Sequence, residues 1–216
     1  MVRRVRLATG LILFAFVATH LINHSLGIVS LAAMEEGRKW FLLLWRNPAG
    51  TALLYVSLIL HILLAGYALY ARRSLRMSAG DAIRTVLGFS IPLILALHIV
   101  GTRGAHENFG TADTYAYVLL AQWRSSPTGA YWQTLGLYAA WIHGCIGLYY
   151  WLRLKPGFGQ WQPVLFGVAV LLPVLAWIGY YSGGKEVLAL AQDPNWLRET
   201  YRAISPPNQE QIGLIL

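Results

Sequence analysis

Four histidines, His20, His61, His98 and His143, stand in apolar stretches that carry no Asp, Glu, Lys or Arg. An ionisable side chain inside a bilayer is costly, usually faces the interior of a helix bundle, and marks a functional site. With about 1.5 Å of rise per residue, His20 and His98 lie roughly 20 Å from the cytoplasmic starts of two helices that run the same way. His61 and His143, on helices that run back, lie roughly 15 Å from the cytoplasmic ends. The four histidines therefore divide into two pairs at two depths.

Two neutral imidazoles at one depth, on diagonal helices of a four-helix bundle, can bind one haem iron from opposite sides. We therefore expect two b-type haems, the outer one held by His20 with His98 and the inner one by His61 with His143. Structural histidines, hydrogen-bonded between helices, are one alternative. A proton relay would usually include intramembrane carboxylates, and a zinc or copper site would gather its ligands at a single depth.

Three further polar residues lie near the outer pair. His24, one helical turn after His20, either replaces it as a ligand or binds a haem propionate. His106 and Arg103 follow the third apolar stretch, and both are candidates for contact with propionates, with a snorkelling interface arginine as the alternative for Arg103. Glycines near the histidines are expected to let a flat macrocycle approach the backbone: Gly66, Gly144 and Gly147.

The elements that position these histidines are membrane-spanning helices. The chain is 56% apolar and 12% charged, with a mean hydropathy of +0.49, whereas a soluble domain carries about 25% charged residues. Charge-free stretches approach or exceed the roughly 20 residues that cross a bilayer. Helices are expected there because they satisfy the hydrogen-bonding groups of their own backbone. We predict five spans, at about 8–32, 49–71, 84–102, 131–152 and 162–181.

The segments outside the predicted spans contain short interfacial helices. One, over 38–45, places four large apolar side chains on one face: Trp40, Phe41, Leu44 and Trp45. Asp113 is predicted to cap a second helix that runs to Trp123, and Asp193 with Pro194 is predicted to open a third. Such helices either anchor the protein at the headgroup layer or cover a cofactor near the outer face.

The distribution of charge predicts the orientation. The loops around 72–76 and 153–155 are short and rich in Arg and Lys, which places them and the N-terminus in the cytoplasm. Orientation explains the net charge of +8 better than nucleic-acid binding does. The single cysteine, Cys145, excludes an internal disulfide and a cysteine-ligated cluster. We interpret the first apolar stretch as a retained helix rather than a signal peptide, and no internal repeat or soluble domain is evident.

Four sequence segments resemble the dihaem cytochrome b subunit of succinate:quinone and fumarate reductases: FVATHLINH, LILHILLAGY, LALHIVGTR and WIHGCIGLYYWL. The resemblance implies that His20, His61, His98 and His143 are the axial ligands and favours His20 over His24. It also implies exchange of electrons with quinone. The expected fold is an all-α integral membrane protein of the bacterial inner (cytoplasmic) membrane, with a four-helix haem-binding bundle and a peripheral fifth helix in one domain over 1–216.

A closer resemblance covers nearly the whole chain through HIVGTRGAHENFGTADTYAYVL, WIHGCIGLYYWLRLKP and GKEVLALAQDP. These segments are similar to the membrane anchor of certain bacterial class III adenylate cyclases. That similarity implies two haem b groups, six helices in a longer chain, and a cyclase domain beyond residue 216 that would make cyclic AMP and form a homodimer. Ile212–Leu216 resembles the first turn of the sixth helix. An electron-transfer subunit of a succinate:quinone or fumarate reductase is the alternative function.

Overall fold

The described chain consists of helices joined by short connecting segments. The structure, a computed structural model, describes residues 1–214, and no strand occurs among them; the predicted helix start at Ile212–Leu216 lies partly outside this range. Four helical stretches are long and apolar enough to cross a bilayer: Val2–Ile28, Pro48–Tyr70, Ala79–Phe109 and Phe158–Leu190. The remaining predicted span coincides with a 25-residue helix, Thr128–Leu152, whose many Tyr and Trp residues lower its hydropathy. The described chain is thus all-helical, and its long apolar helices indicate a multi-pass membrane protein.

Ten α-helices follow one another within residues 1–214: α1 (Val2–Ser25), α2 (Leu31–Trp45), α3 (Pro48–Tyr70), α4 (Ala79–Ile99), α5 (Ala105–Phe109), α6 (Tyr115–Leu119), α7 (Thr128–Leu152), α8 (Phe158–Leu190), α9 (Pro194–Ile204) and α10 (Gln209–Gly213). A 3₁₀ turn, Leu26–Ile28, extends α1. Two π-helical segments, Val100–Gly104 and Leu120–Ser125, follow α4 and α6. The path of the chain thus stays helical past the ends of these elements.

The capping residues explain where several helices begin. Asp193 accepts a hydrogen bond from the Asn195 amide at 2.8 Å, and Pro194 is the first residue of α9, as the sequence predicts. The predicted cap of α6 is wrong. Thr114 caps α6 by accepting from the amide of Tyr117 at 3.1 Å, because the carboxylate of Asp113 is held by arginines instead.

The long helices pack as two hairpins. α1 packs against α3, and α4 packs against α7. The hairpins meet where α1 touches α7, around Phe14 and Trp141, whose rings stack 5.0 Å apart. α8 covers the opposite flank of α1. The diagonal combinations, α1 with α4 and α3 with α7, are not among the closely packed pairs of the described chain.

Glycines let α8 approach the end of α1 closely. A Cβ at Gly179 would lie 3.0 Å from the carbonyl carbon of His24 and nearer still to its oxygen. A Cβ at Gly27 would lie 2.7 Å from the carbonyl carbon of Gly179 and 2.7 Å from Sδ of Met34. Small residues at such crossings allow backbone-to-backbone packing in membrane proteins. The side chain of any other residue would separate these two helices.

The short helices form a packed cap at one end of the bundle, defined here as α2, α6, α9 and the last part of α8. Its core consists of buried side chains: Leu31, Met34, Tyr115, Leu119, Leu120, Tyr180, Val187, Ala191 and Ile204. Glu186 of α8 accepts a hydrogen bond from the Leu31 amide at 2.7 Å, and Glu35 accepts from the Ala116 amide at 3.2 Å. With 33 residues, α8 is roughly 50 Å long and exceeds the roughly 30 Å hydrocarbon core.

Candidate functional site

His61 of α3 and His143 of α7 form the arginine-side pair, far from the cap. Their ring centroids lie 6.3 Å apart. Nδ1 of His61 lies 3.2 Å from the carbonyl oxygen of Arg6 and 3.3 Å from Oγ1 of Thr9. Nδ1 of His143 lies 2.9 Å from the carbonyl oxygen of Arg84. Because a carbonyl only accepts, this partner assigns the proton to Nδ1 and leaves the lone pair on Nε2, the arrangement of a metal-binding histidine.

A glycine lies against each imidazole of this pair. A Cβ at Gly10 would be 3.0 Å from Cε1 of His61, and a Cβ at Gly88 would be 2.7 Å from Cε1 of His143. These contacts are shorter than ordinary van der Waals distances between carbon atoms. Glycine at both positions therefore provides the space that the two rings occupy.

The glycines singled out from the sequence have other surroundings. A Cβ at Gly66 or Gly147 would meet no described atom within 4 Å. A Cβ at Gly144 would lie 2.6 Å from Cδ2 of Phe14, so this glycine serves the contact between α7 and α1. The glycines that contact the imidazole rings, Gly10 and Gly88, lie instead on the neighbouring helices.

His20 of α1 and His98 of α4 form the cap-side pair, with ring centroids 6.2 Å apart. His24 joins them, since its Nε2 lies 3.1 Å from Nε2 of His20. The ring of His24 lies 5.5 Å from that of Tyr115 and 5.9 Å from that of Tyr180, and the residue is only 4% exposed. The Nδ1 atoms of all three histidines are buried without a hydrogen-bond partner among residues 1–214. The polar groups here are therefore less satisfied than those of the arginine-side pair.

The cap covers His20 with aromatic rings. Phe41 of α2 lies 5.2 Å from His20 between centroids, and Trp45 fixes this part of α2 by donating from Nε1 to Oγ1 of Thr19 at 3.0 Å. Trp40, by contrast, is 70% exposed. The two interpretations of α2 thus apply to different residues: Phe41 covers the histidine, whereas Trp40 faces outward as an interface anchor does.

A buried polar contact joins α1 to the cap. Asn23 donates from Nδ2 to the hydroxyl of Tyr115 at 2.6 Å and to the carbonyl of Met34 at 3.3 Å. Burial raises the pKa of the Tyr115 hydroxyl, which therefore stays protonated. This contact fixes Tyr115 beside His24.

Three arginines around the cap already have carboxylate partners. Arg46 binds Asp113 through both terminal nitrogens, and its hydrogen bonds to that carboxylate raise the pKa of the guanidinium. Arg38 lies 3.6 Å from the same carboxylate. Arg103 pairs with Glu107 at 2.8 Å. A haem propionate would have to compete with Glu107 for Arg103.

His106, the remaining sequence candidate, makes its polar contact within its own loop. Its Nδ1 lies 2.9 Å from the carbonyl oxygen of Thr111. Thr111 in turn donates from Oγ1 to the carbonyl of Ser205 at 3.1 Å. His106 thus helps to tie this loop to the end of α9.

The two hairpins share a three-position pattern, although no continuous internal repeat is evident along the sequence. In α1 and α4 an arginine precedes a glycine by four residues and a histidine by fourteen: Arg6, Gly10 and His20, then Arg84, Gly88 and His98. In each hairpin, the histidine of the second helix bonds the carbonyl of that arginine and lies against that glycine. Only three positions repeat, and the intervening residues differ, which explains why contacts were needed to reveal the pattern.

Both histidine pairs have the separation of ligands that share one metal. Two imidazole nitrogens at about 2 Å from one metal place the ring centres roughly 6 Å apart. His61 lies beside Gly10, ten residues before His20 in the same helix, so the pairs are roughly 15 Å apart along the bundle. Within residues 1–214, no group of three or more His, Cys, Asp or Glu could hold a bare metal ion.

Comparisons with protein-family models, with curated proteins and with solved structures found no match to this chain. Its function is therefore inferred from its own residues and their geometry. At the arginine-side pair each Nδ1 contacts a backbone carbonyl of the neighbouring helix, and no hydrogen bond joins the two rings.

Proposed function

We propose that this chain binds two b-type haems, one between His61 and His143 and one between His20 and His98. The observation that carries the proposal is the occurrence of two imidazole pairs, 6.3 and 6.2 Å apart, on diagonal helices that do not pack closely against each other. The backbone contacts of Nδ1 in the arginine-side pair support ligation through Nε2. Each haem, when bound, supplies reversible one-electron chemistry.

The residues of the chain have distinct roles in this proposal. The carbonyls of Arg6 and Arg84 hold the Nδ1 protons of the arginine-side pair, so that both rings keep one orientation. Phe41 covers His20 and reduces access of water to the cap-side pair. Exclusion of water and hydrogen bonding around ligands are among the factors that set redox potentials. The two sites are therefore expected to have different potentials.

The proposed setting is the bacterial inner membrane, with lipid around five spans. These are the four long apolar stretches and α7. The arginine-rich loops and the N-terminus are placed in the cytoplasm and the cap outside. We further propose that the two haems exchange electrons with quinone and regulate a class III adenylate cyclase domain beyond residue 216, which would form a homodimer. The resemblance of the sequence to such anchors supports this part of the proposal.

A haem assay of protein purified from haem-supplied cells tests the binding proposal. The pyridine haemochrome spectrum should give two b-type haems per chain. Less than about one haem per chain would refute haem binding and leave structural histidines. For the sensor role, the quinone pool around the full-length protein would be titrated while cyclic AMP is measured. A constant cyclic AMP output while the haems change oxidation state would refute that role.

Gly88→Ala is expected to remove the arginine-side haem. The new methyl group would lie 2.7 Å from Cε1 of His143, so this ring would have to move. Movement of the ring would break its contact with the Arg84 carbonyl. Haem content should fall from two per chain to one, measured by the haemochrome assay and a redox titration. Gly167→Ala is the control in α8, a helix that carries no histidine of either pair, since its methyl group meets no described atom within 4 Å. Unchanged spectra for Gly88→Ala would contradict the role of this glycine.

A further inference from the structure

The two repeats differ one helical turn beyond the cap-side histidines. Four residues after His20, α1 carries His24; four residues after His98, the chain carries Thr102. The hydroxyl of Thr102 donates to the carbonyl of His98 at 2.6 Å, so it serves its own helix. The α1 side of the cap-side site thus offers two imidazoles, whereas the α4 side offers one.

His24 belongs to this site rather than to the surface. It is 4% exposed, and its Nδ1 is buried without a partner among the described residues. Leaving a buried polar group unpaired is costly, so such a group requires an explanation. Its Nε2 lies 3.1 Å from Nε2 of His20. Residues four apart lie on the same helix face, so His24 lies beside His20 on the face of α1 that contributes to the cap-side pair.

The hydrogen bond between these two histidines makes them alternatives. Each neutral imidazole has one nitrogen lone pair. The contact between the Nε2 atoms uses the lone pair of one ring and the proton of the other. Whichever ring binds a metal through Nε2 has to give up this hydrogen bond. Only one of the two can therefore oppose His98 across a shared metal.

We infer that His24 is a second axial-ligand position at the cap-side site, able to replace His20, whereas His98 has no substitute. This inference rests on the proposed haem binding and deepens it. Ligation by His24 forms one iron–nitrogen bond in place of another. The unbound ring keeps its proton, so neither charge nor electron count changes.

Four variants of the full chain test the inference: His20→Ala, His24→Ala, the double variant, and His98→Ala. The measurements are haem per chain and spin state by optical and electron paramagnetic resonance spectroscopy. The low-spin signal of the arginine-side haem in each sample reports that the variant is folded. His20→Ala should keep two low-spin haems, with a shifted signal for the cap-side haem, and His24→Ala should also keep two. The double variant and His98→Ala should each lose the cap-side haem or convert it to high spin.

Two results would overturn the inference. One is that His20→Ala alone loses the low-spin cap-side haem, as the double variant should. The other is that the double variant still holds two low-spin haems. The wild-type chain separates these failures from failure of the proposed function. Wild type without haem refutes haem binding itself, whereas two haems in wild type and one in His20→Ala refute only the role of His24.

Discussion

His143→Ala is expected to reduce the haem content from two per chain to one. Its Nδ1 is held by the Arg84 carbonyl at 2.9 Å and its ring lies 6.3 Å from that of His61, so alanine removes one of two ligands from a single haem. His61→Ala should remove the same haem, and the double variant should lose nothing more. A redox titration followed optically should show one of two steps missing in all three proteins.

His106→Ala is the matched control for this experiment. It removes an imidazole of the same chain whose Nδ1 contacts the carbonyl of Thr111, in the loop after α5. Both redox steps should persist in this variant. If His61→Ala and His143→Ala removed different haems, or if their combination removed both, the assignment of these residues to one site would be wrong.

Gly179→Val is expected to disrupt the packing of α8 against α1. Overpacking typically costs about 1–3 kcal/mol where neighbouring side chains can yield. Here the atoms in the way are the backbone carbonyl of His24 and Cα of Ser25. We therefore expect destabilisation of about 3 kcal/mol or more, with loss of the contacts that hold His24 in place. Thermal unfolding, followed by tryptophan fluorescence, measures the effect.

Gly167→Val is the control within the same helix. A Cβ at Gly167 meets no described atom within 4 Å, so the larger side chain extends from α8 without a clash. This variant should unfold at nearly the wild-type temperature. Equal unfolding temperatures for Gly179→Val and Gly167→Val would show that the crossing of α1 and α8 tolerates separation.

The long helices could be predicted from the sequence, because uninterrupted apolar stretches determine them. α3 is predicted to within one residue at each end, 49–71 against Pro48–Tyr70. α8 was predicted far too short, as 162–181 against Phe158–Leu190. Hydropathy marks where a helix leaves the hydrocarbon, whereas α8 continues through Lys185 and Glu186 because the cap packs around it. Tertiary contacts of this kind leave no local signal.

The proximity of the histidines could be predicted, but their surroundings could not. Depth along the helices placed His61 near His143 and His20 near His98. The contribution of Gly10, and of the carbonyl of Arg6, depends on how α1 and α3 are rotated against each other. Rotating a helix about its axis by one residue, about 100°, turns a different side chain toward the neighbouring helix. No pattern within a single helix records that rotation.

The repeated hairpin has a genetic consequence. If the bundle were a dimer of one hairpin, every substitution would be installed in both halves at once, and the two ends of each site would have to change together. Joined in one polypeptide, the halves mutate separately. The histidine at position 24 and the threonine at position 102 are such a divergence, which a symmetric dimer of one hairpin could not carry.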